Sequence, residues 1–191
     1  MASKIYAAVL TLIFVSVFAI RFQHAGPYAM PTWGPLVGAA GCLVIAGLLV
    51  WSVKPKWLTW LLLILSPIAA FPALYSIGGE AEEVISLFPV DQDGNEADLR
   101  LWVVDRDDGA WVGLGRNKAV AHNLDGSQLR MLRGGETRCV IPRLYEDRPT
   151  VEVVHGMKVD KYVIAQLSGA IGLYPLQATE STVALRLDRC D

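Results

Sequence analysis

All nineteen acidic residues of this 191-residue chain lie between Glu80 and Asp191. Before that point the only formal charges are Lys4, Arg21, Lys54 and Lys56. The first 79 residues therefore carry +4, whereas residues 80–191 hold thirteen basic against nineteen acidic groups, a net of −6. A mean hydropathy of +0.37 with 53% hydrophobic residues is too apolar for one ordinary soluble domain, and the excess sits in the first block. The sequence divides into two physically different objects, residues 1–79 and residues 80–191.

The first block contains three apolar runs. Residues 5–20 reach spanning length only with their flanks, whereas 35–53 and 57–77 reach it unaided. About 20 apolar residues cross a bilayer, with tilt and snorkelling lysines giving slack. Three transmembrane helices are expected over about 4–22, 35–53 and 57–77. Lys4 before an apolar run could also open a signal peptide. No small-x-small site follows cleanly and further spans come after it, so an uncleaved anchor is the better reading. Trp33, Trp51, Trp57 and Trp60 fall near run ends, where aromatic belts sit. The positive-inside rule puts Lys4, Lys54 and Lys56 in the cytoplasm against Arg21 outside. With three spans, residues 80–191 are expected on the extracytoplasmic, periplasmic side of an inner (cytoplasmic) membrane.

No span contains an internal Asp, Glu, Lys, Arg or His, which argues against transport, since ion pathways need such groups within the bilayer. The second span instead carries Gly34, Gly38, Cys42 and Ala46, a small residue at every fourth position. Such a seam lets another helix approach closely, either a neighbouring span of this chain or a helix of a partner. Pro67 and Pro72 are expected to kink the third span or end it early. The expected partners of this block are membrane lipid and other transmembrane subunits.

The polar block is long enough for one domain with its own core. Residues 83–90 read as a strand before the turn-rich DQDGNEAD. LRLWVV (99–104) alternates, RDDG turns, and AWVGLG (110–115) returns, a hairpin pattern. LRMLR (129–133) and TRCVIPRLY (137–145) form a second hairpin. STVALRL (181–187) is a last strand with Val183, Leu185 and Leu187 on one face. KAVAHNL (118–124) reads as a short helix. A longer one begins near Asp147-Arg148-Pro149, with helical spacing from Met157 through Val159, Val163 and Leu167 to a stop at Gly169. Within it TVEVV (150–154) is β-branched and compatible with a strand. The expected fold is α+β, three transmembrane helices followed by a small β-barrel with one main helix.

The succession LRLWVVD–DDG–AWVGLGR, AHNLDG, LRMLRGGE–TRCVIPRLYED and GMKVDKY resembles the split β-barrel proteins of the pyridoxamine phosphate oxidase and deazaflavin-dependent nitroreductase-like superfamily. The resemblance covers about residues 83–188 and lies in element order and spacing. It implies a split barrel and, in many members, FMN or a deazaflavin held against it for hydride transfer. It also implies a basic, Gly/Ser-rich phosphate-binding turn just before the strand at 99–104. This chain has DQDGNEAD there, whose Asp91, Asp93, Glu96 and Asp98 would repel a phosphate. Arg116 and Lys118, with Arg130 and Arg133 beyond, are the cations left to meet one, or else a solvated strand edge. Trp102 or Trp111 would flank the ring.

Other chemistry finds little footing. His24, His122 and His155 show no metal-ligand spacing. Asp91, Asp93 and Asn95 alternate like a calcium loop, but Gly94 is misplaced and Trp102 stands where the bidentate Glu belongs. No nucleophile elbow, Walker loop or Cys–His pair is present. A net −6 on the domain argues against nucleic acid. Cys139 and Cys190 are either a disulfide tying down the tail or two unrelated thiols. Two readings follow. One is a non-catalytic accessory or assembly subunit of a larger membrane complex, without cofactor. The other is a membrane-tethered flavin or deazaflavin oxidoreductase of the nitroreductase or quinone reductase kind.

Overall fold

A computed structural model describes residues 2–24, 33–51, 56–90, 94, 96–106 and 109–190. Lys54 of the charge bias, Asp91, Asp93 and Asn95 of the acidic turn, and Asp107-Asp108 of the hairpin lie outside the described residues. The chain is mixed α+β and divides into two units, the helices up to Ala81 and the chain from Glu82 onward.

The first unit consists of α1 (Ala2–Gln23), α2 (Trp33–Val50) and α3 (Lys56–Ala81), all long and apolar enough to cross a membrane. Their mutual packing uses small side chains. Ala7, Val17, Ala39, Cys42, Ala46 and Ala73 are buried together with Leu10 and Leu62. Of the seam on α2, Gly38, Cys42 and Ala46 face this interior, whereas Gly34 is exposed and a Cβ there would meet nothing within 4 Å. A Cβ at Gly38 would stand 2.5 Å from the Ala69 carbonyl oxygen, so this approach of α2 to α3 requires glycine. Of the two outcomes expected of its prolines, α3 does not end early but runs through Pro67 and Pro72 to Ala81. At the first, Pro67 has no N–H to offer the Leu63 carbonyl, and the Ser66 hydroxyl donates to that carbonyl instead, at 2.9 Å. Tyr6 of α1 lies 2.5 Å from the same hydroxyl.

The second unit is a closed, wholly antiparallel barrel of six strands in the order β1-β2-β3-β6-β5-β4. These are β1 (Val84–Phe88), β2 (Leu99–Arg106), β3 (Gly109–Gly115), β4 (Leu129–Arg133), β5 (Glu136–Tyr145) and β6 (Thr182–Arg189). Alternation places Ile85, Leu87, Leu99, Leu101, Val103 and Val112 inside, with Leu129, Met131, Val140, Val183, Leu185 and Leu187 opposite them. The β2–β3 hairpin closes through Gly109 at φ +132°, a conformation L side chains rarely adopt. Short α4 (Arg116–Ala121) leaves the end of β3.

β2, β3 and β6 are buried on their outer face as well. There Val104, Trp111 and Ala184 meet Val151 and Val154 of α5 (Arg148–Lys161), Ala165 of α6 (Val163–Ala170), and Tyr162 between the two helices. Asp147 caps α5 by accepting from the Thr150 N–H at 3.1 Å, and residues 150–154 are helical rather than extended. The single long helix expected here is two. Tyr162 breaks it at φ −101°, ψ 113°, with no Gly or Pro at the break. The reason is tertiary: the Tyr162 hydroxyl accepts from the Val103 N–H at 2.8 Å and lies 2.7 Å from the carbonyls of both Val103 and Glu83. Helical continuation would pull the phenol out of this buried site.

Candidate functional site

The four cations singled out in the sequence do not converge. By strand direction, Arg116, Lys118 and Arg130 belong to one end of the barrel, and Arg133, at the end of β4, to the other. Arg116 pairs with Glu146 at 3.0 Å. Arg130 lies over the Phe88 ring at 3.6 Å and pairs with Glu96 of the acidic turn at 2.6 Å. Lys118 is half-buried, and burial lowers its pKa. Each arginine is thus committed to a carboxylate, and the turn before β2 adds negative rather than positive charge. This arrangement does not fit the phosphate of a flavin. Nor are the two tryptophans open rings. Trp111 is buried against Tyr145 with Arg106 over it, and Trp102 stacks on Tyr162 at 4.7 Å and 12°.

The opposite end of the barrel is dense in charge. A cleft of about 500 Å³ there is lined by Asp105, Arg106, Arg133, Arg138, Asp188 and Arg189 among others. Arg133 binds both oxygens of Asp105 at 2.6 Å and Glu83 at 2.8 Å, while Lys161 reaches Glu83 and donates to the Val103 carbonyl at 2.7 Å. The Arg133 hydrogen bond holds Asp105 below its ordinary pKa, and Asp105 in turn raises that of Arg133. Burial works to raise the Glu83 carboxyl, but hydrogen bonds from Lys161 and Arg133 outweigh it and the net shift is downward. Beside this cleft Cys139 and Cys190 form a disulfide, with Cα atoms 5.4 Å apart, that ties the end of β6 to β5.

A second set of perturbed groups lies under α5. Lys158 is 8% exposed, and burial pushes its ammonium down to about 8. Its Nζ lies 5.7 Å from the centre of the Tyr174 ring, and a Cβ at Gly113 would come within 3.4 Å of it. One turn back, the buried His155 ring stacks on Tyr174 and its Nε2 is 2.8 Å from the Pro175 carbonyl, the arrangement of an Nε2–H donor. Its Nδ1 is buried with no hydrogen-bond partner among the described residues. Burial lowers the His155 pKa, so the ring is neutral. Burial likewise pushes the Tyr162 phenol up to about 12. Lys158 is not legible as a buried group from its residue type, because lysine reads as surface. The signal was nonetheless present: Val151, Val154, His155 and Lys158 recur at helical spacing on one face. His122 is buried at the end of α4, and among the described residues no group of three or more His, Cys, Asp or Glu could hold a metal.

The domain's class is defined by its own strand order, a closed six-stranded antiparallel barrel with two helices on its outer face. No family model and no curated protein matches the chain. Solved structures similar to it include the heme storage protein HutZ of Vibrio cholerae, at 15% identity and a TM-score of 0.39, covering 60% of this chain and 86% of that one. Another is conserved hypothetical protein Rv2991 of Mycobacterium tuberculosis, at 14% identity and a TM-score of 0.40, covering 58% and 75%. A third, ChuZ of Campylobacter jejuni, has 9% identity and a TM-score of 0.41, covering 71% of this chain and 63% of that one.

Proposed function

We propose that this is a membrane-anchored accessory or assembly subunit whose three helices hold an extracytoplasmic, non-catalytic barrel within a larger membrane complex. The observation that carries the reading is the commitment of Arg116 to Glu146 and of Arg130 to Glu96 where a flavin phosphate would need free cations. The Cys139–Cys190 disulfide supports an oxidising compartment for the barrel. The small, charge-free interior of the helical unit supports an anchor over a conduit. The test is native extraction of the full chain in mild detergent. Stoichiometric partner subunits, a featureless visible spectrum and undiminished fluorescence of added FMN are the expected results. A stoichiometric flavin spectrum or quenching of FMN would overturn it in favour of a tethered flavin oxidoreductase, and a lone monodisperse monomer would overturn the accessory role.

A further inference from the structure

The alternation that fills the barrel continues past its core into a ring of charge. Val103, Met131, Val140 and Leu187 point inward and are buried. Two residues beyond them, toward the end that carries the β2–β3 and β4–β5 hairpins, stand Asp105, Arg133, Arg138 and Arg189. A period of two puts these four on the same inward face. The registers agree, since Arg138 pairs with Met131 and Arg189 with Val140, and antiparallel partners share a face. The cleft of about 500 Å³ is therefore the mouth of the barrel, with Met131, Val140 and Leu187 as its apolar floor. Four arginines against two aspartates line it, a net of +2 in a domain of net −6.

The carboxylates of this mouth are already taken. Arg133 holds both oxygens of Asp105, and Glu83 receives Arg133 and Lys161. Asp188 accepts from Arg186 through both oxygens, at 2.7 and 3.2 Å. Arg189 has no hydrogen-bond or ion-pair partner among the described residues. Arg138 pairs with Glu136, two residues away on its own strand and 67% exposed, a contact of a kind that contributes little. Because Arg189 stands opposite Val140, Arg138 is its diagonal neighbour across the ladder, about 7 Å away at Cβ. Two guanidiniums so placed repel each other unless an anion lies between them. The disulfide fixes their spacing. Val140–Arg189 is the last registered pair of β5 and β6, and directly beyond it Cys139 and Cys190 are cross-linked, each next in sequence to one of the arginines. The Cys190 N–H donates to the Cys139 carbonyl at 3.3 Å.

We infer that the barrel mouth binds a small organic carboxylate, its charged end bridging Arg138 and Arg189 and its apolar body resting on Met131, Val140 and Leu187. Guanidinium forks match carboxylate oxygens in geometry as well as charge, and the apolar floor asks for a body behind them. The site lies within the barrel alone and stands whether or not partner subunits are found. The experiment titrates the full chain in mild detergent with benzoate, followed by isothermal calorimetry. Benzamide serves as the neutral counterpart and inorganic phosphate as an anion without an apolar body. One benzoate per chain should bind, with benzamide and phosphate each weaker by roughly tenfold or more. Arg138→Gln and Arg189→Gln should each weaken benzoate roughly tenfold, while Arg116→Gln at the opposite end of the barrel leaves it unchanged. Near-ultraviolet dichroism checks that the variants fold, and the comparison of benzoate with benzamide needs no variant at all. Absence of saturable benzoate binding, equal binding of benzamide, or binding that survives both substitutions overturns the site. Phosphate binding as tightly as benzoate overturns the organic ligand. Reduction of the disulfide should weaken benzoate as well, and an affinity indifferent to reduction overturns the part given to the cross-link.

Discussion

The two units of this chain bury their interiors by different means. In the helical unit Ala, Cys and Gly are buried among larger Leu and Ile side chains, and backbones approach until a single Cβ at Gly38 would collide with a carbonyl. One of its buried hydroxyls is satisfied locally, Ser66 capping the carbonyl that Pro67 leaves free. In the barrel, large aliphatic side chains fill the inside, and the ends are tied by ion pairs spanning many residues, such as Arg133 with Glu83 and Asp105. On the proposed membrane-anchored reading, solvent explains the contrast. Among lipid tails burying a Leu gains nothing over leaving it outside, so close backbone contact supplies the cohesion. In water apolar volume supplies it, and charge can be spent on the rim.

If that contrast is right, the barrel also carries a staple that the helical unit lacks. Cys139 and Cys190 close a separation of 51 residues, which chain entropy values at about 4 kcal/mol. Reduction, or Cys139→Ser with Cys190→Ser, should lower the barrel's stability by about that amount in denaturant titration followed by near-ultraviolet dichroism. The helical unit should unfold unchanged. A loss spread over both units would show that they are one cooperative body.

Lys158 tests how strictly the barrel keeps charge on its rim, because it is the exception. Its pKa falls from 10.5 in the unfolded chain to about 8 in the folded one. Between those values the unfolded state binds the proton and the folded state does not, so stability rises with pH across this window. At about 1.4 kcal/mol per pH unit the buried charge costs roughly 3 kcal/mol at pH 7. Lys158→Met keeps the stem and removes the charge. The variant should be more stable at pH 7 by up to this amount, with the advantage vanishing above pH 10.5. Lys118, lowered in the same direction, contributes equally to both proteins and drops out of the difference. An advantage that is flat with pH would mean that Lys158 destabilises through shape rather than charge.

The same contrast governs how much was legible in the sequence. The helices were visible because a run without charge needs no partner to be interpreted. The strands were visible because alternation is local, as in Val183, Leu185 and Leu187. What escaped depended on residues far apart. The break at Tyr162 is set by hydrogen bonds to Val103 and Glu83, 59 and 79 residues away. The fate of Arg116 and Arg130 depended on Glu146 and Glu96, which no spacing rule brings to them. The persistence of α3 beyond Pro67 was readable in principle, since a serine directly before a helical proline can supply the missing donor.

The helical side of the contrast turns on Gly38. Ala at this position adds one methyl group in a direction occupied by the Ala69 backbone oxygen at 2.5 Å, with Pro72 behind it at 3.5 Å. Neither neighbour is the free end of a flexible side chain, so α2 and α3 must separate. Separation loosens Ala39, Cys42 and Ala46 together, and the expected cost is about 2 kcal/mol, in the range for overpacking a close interface. Titration of the full chain with SDS, followed through tryptophans at the helix ends, should show the helical transition moving to lower detergent fraction. Gly34→Ala is the matched control, because nothing lies within 4 Å of the added methyl. If Gly34→Ala destabilises as much as Gly38→Ala, helix propensity or a partner's helix on the outer half of the seam is responsible. Close packing between α2 and α3 would then not be what holds the unit together.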